Sequence, residues 1–247
     1  MSQRLKLTVA YDGAAFAGWQ SQTHLNTVQD KLEHAFRKIC GTDIRVHSAG
    51  RTDAGVHALA QCAHVDLPDR QLSIQRWPNA LNALLPSAIR ILRCQYVSRN
   101  FHARFSATGK LYRYRIWAAP ILPPFEFGRA WHISSPLDIV LLKSVGEKFA
   151  GTHDFAAFAA NRAKEEQNTT RTIWSVGIRR SGPRVTIEVA GDGFLYKMVR
   201  LMVGAMTRAA QNKMKINEII AQLRSGCSDG PRFVAPAEGL YLVRIWY

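Results

Sequence analysis

Gln3-Arg4-Leu5-Lys6-Leu7-Thr8-Val9-Ala10-Tyr11-Asp12-Gly13 stands near the start of the chain and sets its structural character. Leu5, Leu7, Val9 and Tyr11 recur at every second position, the period of a strand with one face on a core. Asp12-Gly13 follows as a turn. The alternation is unlike the continuous apolar stretch of a secretory signal, so none is expected. Beyond the turn, Val28, Leu32, Ala35 and Ile39 repeat at helical spacing. Thr27 and Asp30 make a capping-box-like start to that helix, and Gly41 marks its stop.

Short strands are predicted around Ile44–Ser48 and Gln61–Asp66, a helix over Ile74–Leu85 ending at Pro86, and a strand over Ile89–Val97. A strand at Leu111–Trp117 puts Tyr112 and Tyr114 on one face. Ser135-Pro136-Leu137-Asp138 predicts a helix with Ser135 as N-cap, Pro136 first and Asp138 in the third position. Strands around Thr172–Ile178 and Arg184–Val189 precede a helix from Tyr196 to Ala210, a short helix at Asn217–Arg224 and a final strand, Gly239–Tyr247. Strands interleaved with packing helices predict an α+β protein of two lobes, 1–105 and 106–247. A chain of 247 residues is long enough for either one large domain or two fused halves.

The charge balance points to a partner. The chain has 33 basic and 18 acidic residues, a formal charge of +15. Of the cations 23 are Arg and 10 are Lys, and Arg is favoured where a planar fork must grip phosphate. A polyanion is expected, nucleic acid ahead of membrane. No apolar run approaches the roughly 20 residues that span a bilayer. Between Asp69 and Glu126 there is no acidic residue, while Arg70, Arg76, Arg90, Arg93, Arg99, Arg104, Lys110, Arg113 and Arg115 fall in that interval. Trp77, Tyr96, Phe101, Phe105, Tyr112, Tyr114 and Trp117 are interleaved with them. Cations that follow phosphates beside rings that stack bases suit looped or single-stranded RNA, although most such rings serve ordinary cores.

Several chemistries lack a seat. Cys40, Cys62, Cys94 and Cys227 lie far apart with no C-x-x-C pair, which fits neither a zinc site nor a disulfide framework and predicts reduced thiols in the cytoplasm. No phosphate-binding G-x-x-x-x-G-K-[ST] or G-x-G-x-x-G loop occurs, nor the H-x-E and P-C-x-x-C pair of zinc deaminases. Gly226-Cys227-Ser228-Asp229-Gly230 fits G-x-S-x-G, but a helix precedes it where a hydrolase has a strand, and Gly226 is better explained as a helix stop. No metal and no cofactor are expected.

Ala49-Gly50-Arg51-Thr52-Asp53-Ala54-Gly55-Val56-His57-Ala58 is the most informative segment. Two glycines bracket an Arg and an Asp in a turn between predicted strands. Alone, Asp-x-Gly is an ordinary turn, and Arg51 beside Asp53 an exposed ion pair worth little. The stretch Met198–Met206 changes the weighing. It is apolar nearly all round, so it should be buried, yet Arg200 sits within it. A buried guanidinium needs an acidic partner or a cleft. Glu188 and Asp192 are structural candidates, and Asp53 is the functional one.

Gly50-Arg51-Thr52-Asp53-Ala54-Gly55-Val56-His57 resembles the catalytic motif of the tRNA pseudouridine synthase A family. Further blocks resemble that family in the same order: Phe101-His102-Ala103-Arg104-Phe105-Ser106-Ala107 running into Tyr112-Arg113-Tyr114, then Met198-Val199-Arg200-Leu201-Met202-Val203-Gly204, then Ala237-Glu238-Gly239-Leu240-Tyr241-Leu242. With Tyr11-Asp12-Gly13 and Gly18-Trp19-Gln20, the likeness covers essentially the whole chain. It implies two pseudo-symmetric lobes of mainly antiparallel sheet with flanking helices around a central cleft, a homodimer, and the anticodon arm of tRNA as substrate, with uridines 38, 39 and 40 as targets. It implies Asp53 as the catalytic carboxylate, Tyr112 as the ring over the target uracil and Arg200 as the partner of Asp53, with Arg51 also at the substrate. His57, His64, His102, Arg104, Phe105 and Lys110 become candidates for RNA contact, a structural role being at least an equal reading for the histidines. Where family members often carry Arg-Arg or Arg-x-Tyr before the first tyrosine, Lys110-Leu111 stands here, which keeps a cation without its bidentate fork.

Two other readings share these features. A non-catalytic RNA-binding module accounts for the charge and the rings but does not require Asp53. A carboxylate enzyme acting on a small nucleotide would turn over free nucleosides in place of folded RNA.

Overall fold

The alternation of the first strand becomes the middle of a sheet in the computed structural model, which describes residues 3–23, 26–68, 72–160, 168–227 and 232–247. The chain falls into two compact units, residues 1–108 with 241–247, and residues 109–240. In the first, β1 (Gln3–Tyr11) buries Leu5, Leu7 and Val9 completely. It is followed by α1 (Val28–Cys40), β2 (His47–Ser48), β3 (His57–Leu67), α2 (Trp77–Leu84) and β4 (Ile89–Val97). β1 lies between β3 and β4, antiparallel to both. β2 pairs antiparallel with β3, and the last strand, Leu240–Trp246, runs parallel to β3 through Tyr241 and Leu242.

Local chemistry accounts for the helix ends. Thr27 and Asp30 form the full capping box of α1, each side chain accepting the other's backbone N–H at 3.2 Å. Gly41 ends the helix at φ 73°, a left-handed conformation that glycine adopts without strain. Val28, Leu32 and Ala35 face inward as expected, but Phe36 replaces Ile39 as the last large inward residue, its ring 5.6 Å from that of Trp77. The helix expected over 74–85 begins as a 3-10 turn, Ile74–Arg76, and becomes α-helical only at Trp77. Pro78 lacks an N–H and belongs in a first helical turn, which delays the start. The strand expected over 44–48 pairs only at His47–Ser48, because the Val46 N–H is taken by the Glu33 carboxylate at 3.0 Å.

The second unit contains β5 (Gly109–Ala118), β6 (Trp131–Ile133), α3 (Ile139–Glu147), β7 (Gly151–Asp154), β8 (Thr170–Ser181), β9 (Arg184–Gly191), α4 (Met198–Ala210) and α5 (Ile216–Ser225). Its sheet runs β5-β9-β8-β7, antiparallel throughout, with β6 parallel to β5. Short β6 and β7 carry too few residues for a sequence period and were not anticipated. The helix start expected at Ser135 lies at Asp138, whose extended backbone and carboxylate cap the Leu141 N–H at 2.9 Å. The Ser135 hydroxyl instead accepts from the Gln211 amide at 2.9 Å. α4 is buried nearly all round, as its composition requires, and Gly226 ends α5 at φ 62°. Ser228–Gly230 of the G-x-S-x-G pattern, and Arg70, lie outside the described residues.

The fold is therefore α+β, with a mainly antiparallel sheet and five α-helices among the described residues. No helix among them is long and apolar enough to cross a membrane. The four cysteines are free. Removing the α1 cap with Thr27→Ala should lower unfolding stability by about 1 kcal/mol, read as a shifted denaturant midpoint with an unchanged slope.

Candidate active site

The loop 49–57 that leads into β3 is tied down at almost every step. The Ala49 N–H donates to Cys62 O at 2.8 Å, and the Gln61 side-chain amide donates to Gly50 O at 2.9 Å. The Trp19 N–H donates to Thr52 O at 3.0 Å, while the Thr52 and Tyr11 hydroxyls share a buried hydrogen bond of 2.8 Å. The Val56 N–H donates to Asp53 O at 3.1 Å and closes a turn whose Gly55 has φ 80°. Thr52 is thus buried, Asp53 half-buried and Arg51 exposed. Burial pushes the Tyr11 phenol up to about 12 against the opposing pull of its hydrogen bonds to Thr52 and Gln61. The phenol stays neutral over the physiological range.

Two glycines form the wall behind this loop. A Cβ on Gly13 would lie 2.1 Å from Val56 O, and one on Gly18 would lie 2.7 Å from Thr52 O. Gly18 also has φ 95°. Backbone therefore packs on backbone around Asp53. His57, the end of the motif, is buried and stacks on Tyr241 at 4.5 Å and 15°. Its Nδ1 lies 3.1 Å from both the Gly13 N–H and the Asp12 carboxylate, and the tautomer decides which of the two it engages.

A second surface of the same unit carries the Phe101–Ala107 block. His102 Nδ1 accepts the N–H groups of Arg104 and Phe105 at 3.1 and 3.3 Å, which leaves the proton of the neutral ring on Nε2. Phe105 is 78% exposed, with the His102 ring at 4.4 Å and the Arg104 guanidinium 5.7 Å from its centroid. His64 packs beside His102 at 4.6 Å and His47 at 5.0 Å. Burial, then the neighbouring Arg4 and the other two imidazoles, lower His64 to about 4, and burial with the same kind of neighbours lowers His102. Among the described residues no group of three or more His, Cys, Asp and Glu could hold a metal ion.

In the second unit, Tyr112 and Tyr114 share one face of β5, 8% and 0% exposed. Phe194 meets the Tyr112 ring edge-on at 5.0 Å, and the Tyr114 hydroxyl donates to Pro236 O at 2.7 Å. Lys110, on the same strand, is half-buried. Arg200 is half-buried on otherwise apolar α4; its Nε donates to Ala235 O at 2.7 Å, and the Ala235 N–H returns a bond to Arg200 O at 3.1 Å. Of the carboxylates considered for it, Glu188 engages Arg113 at 2.7 Å and Arg179 at 3.6 Å, and Asp192 accepts the Thr172 N–H at 3.0 Å. The blocks around Gly204 and Gly239 meet neighbours too closely for a side chain, since a Cβ would stand 2.0 Å from Phe233 O and 2.5 Å from Tyr114 Cζ respectively.

Residues 7–106 and 146–247 match the family described as tRNA pseudouridine synthase. The chain belongs to that family. A protein named tRNA pseudouridine synthase A from Akkermansia muciniphila is 48% identical over 251 residues, covering 99% of this chain and 95% of the relative. Proteins of the same name from Solidesulfovibrio magneticus and Geobacillus kaustophilus are each 40% identical, covering 99% and 100% of this chain and 91% and 95% of their own. A solved structure titled Crystal Structure of a Cbf5-Nop10-Gar1 Complex is 13% identical with a TM-score of 0.39; the match covers 96% of this chain and 48% of that one.

For a member of the tRNA pseudouridine synthase family, sequence reasoning singled out Asp53 but not what holds it. Tyr11, Thr52, Gln61 and the walls at Gly13 and Gly18 come from three separate stretches. Tyr11-Asp12-Gly13 and Gly18-Trp19 stood out as blocks, yet only folding shows them against the loop. His47 and His64 were likewise invisible as a pair, being well separated in sequence. Gly18→Ala should cost about 1–3 kcal/mol through the clash and the strained φ, and should reduce turnover beyond any loss of folded protein, measured by denaturant melts and initial rates on the same preparation.

Proposed function

We propose that this chain isomerises uridine to pseudouridine in the anticodon arm of tRNA, with uridines 38, 39 and 40 as targets. We infer that it does so without a cofactor, as a cytoplasmic homodimer. The observation that carries the reading is the held Asp53 turn, half-buried and backed by glycine backbone, in a chain whose family match includes that turn. The reaction breaks the bond from ribose C1′ to uracil N1, turns the base and joins C5 to C1′. The C5 proton is released and N1 acquires one, so atoms and electrons balance with no external reagent.

Asp53 acts in its ionised form, either attacking C1′ or removing a ribose proton. Arg200 is its proposed cationic partner; its Nε donates to Ala235 O, and a planar guanidinium suits the orienting of a carboxylate. Tyr112 is the proposed ring over the uracil, with Phe194 restraining it. Extracting a base from its stack costs about a few kcal/mol, which stacking and phosphate contacts offset. Arg51, His102, Arg104, Phe105 and Lys110 are the proposed RNA contacts. His57, buried beneath Tyr241, supports the reading better as a strut that sets the Asp12–Gly13 wall.

Asp53→Asn should bind tRNA normally and lose turnover by a factor on the order of 10³ or more, followed as tritium release from tRNA labelled at uracil C5. Near-normal release would reject Asp53. Arg200→Lys should keep the unfolding midpoint and lower turnover by at least about tenfold, because an ammonium lacks the planar fork; unchanged rates would remove Arg200 from the site.

A further inference from the structure

Segment 119–129 of the second unit presents apolar side chains outward on a backbone that is firmly held. Ile121, Phe125 and Phe127 are 80%, 87% and 76% exposed. Between the phenylalanines Glu126 turns inward, 6% exposed, and its carboxylate takes both Arg115 and, at 3.1 Å, Arg184. The Trp117 indole donates to Ile121 O at 2.8 Å, and His132 Nε2 meets Ala119 O at 2.8 Å. A 3-10 turn, Pro124–Glu126, is closed by the Phe127 N–H on Pro124 O at 3.2 Å, and the Arg129 N–H on Glu126 O at 3.0 Å follows. The inward Glu126 side chain and its ion pairs fix the backbone from which the two rings project. A phenylalanine left in water forgoes about 2 kcal/mol of burial, so rings presented on a stiff loop mark a surface that meets a partner.

Charge selects the partner. Glu126 is the only acid of 119–129, and it is buried and paired twice. Arg129 is exposed, and the Arg184 side chain is 63% exposed with its guanidinium 5.6 Å from the Trp117 ring. A second copy seated on this face would set exposed Arg129 and Arg184 against their own equivalents. RNA supplies phosphate for the arginines and a π face for each ring. The loop is also ordered before binding, so little conformational freedom is lost in stacking.

We propose that Phe125 and Phe127 stack unpaired bases of the substrate RNA other than the target uridine, with Arg129 and Arg184 on the adjoining phosphates. This rests on tRNA being the substrate. The test is the double variant Phe125→Ala with Phe127→Ala, in which both side chains are exposed and the Glu126 anchor is untouched. Its KM for tRNA should rise about tenfold or more, in keeping with the loss of stacked bases, with kcat, melting temperature and mass by light scattering unchanged. Trp at both positions should restore the KM. An unaltered KM in the Ala variant overturns the proposal, and a halved mass overturns it in favour of a second copy on this face. Tritium release from tRNA by the unsubstituted protein separates the two levels. Its absence sinks the tRNA reading together with the proposal, whereas its presence beside an unaltered variant KM sinks the stacking surface alone.

Discussion

The buried hydrogen bond between the Tyr11 and Thr52 hydroxyls joins the central strand of the first unit to the loop that carries Asp53. Both hydroxyls are buried, and Tyr11 is bonded by Gln61 as well, so loss of the pair would fall mainly on the Thr52 hydroxyl, a buried polar group costing about 1–3 kcal/mol when left unsatisfied. The Trp19 N–H on Thr52 O fixes the same residue from its backbone side. Thr52 is thereby a rivet, and the half-buried carboxylate next to it inherits a fixed position. A turn that would be ordinary and mobile on a surface becomes part of the core on one side only.

The second unit uses the same device. Arg200 and Ala235 exchange two hydrogen bonds, one from the guanidinium and one from the backbone, so the α4 cation is aimed by the chain segment beside it. Gly204 lets that segment approach, and Gly239 leaves room for the Tyr114 ring. In both units a polar group with chemical potential is positioned by close backbone contact that only glycine permits. Side chains alone would leave it a choice of rotamers.

Among the described residues, several acids hold the chain's own arginines. Asp66 takes Arg4 at 2.7 Å, Glu188 takes Arg113, and Glu126 takes Arg115 and Arg184. With 33 cations against 18 acids, internal pairing leaves a surplus of positive charge that must be met from outside the chain. The rings of the basic interval divide in the same way. Trp77, Tyr112 and Tyr114 are core, and Phe105 faces water beside His102 and Arg104.

The sequence by itself determined what depends on near neighbours. The period-two burial of β1, the Thr27–Asp30 cap, the glycine stops at Gly41 and Gly226 and the apolar circumference of α4 rest on residues a few positions apart, and they were legible in advance. So was the turn around Asp53, an acid bracketed by glycines between two strands. Tertiary structure alone decided where competing local choices settled. Asp138, not Ser135, caps the helix, its extended backbone and carboxylate receiving the Leu141 N–H, and Val46 left the ladder because Glu33 captured its N–H. It also decided what grips the Asp53 loop, since Tyr11, Gly13, Gly18 and Gln61 come together only when β1 and β3 pair. Contacts between distant residues carry no periodic signal, so they become readable only once the chain has folded.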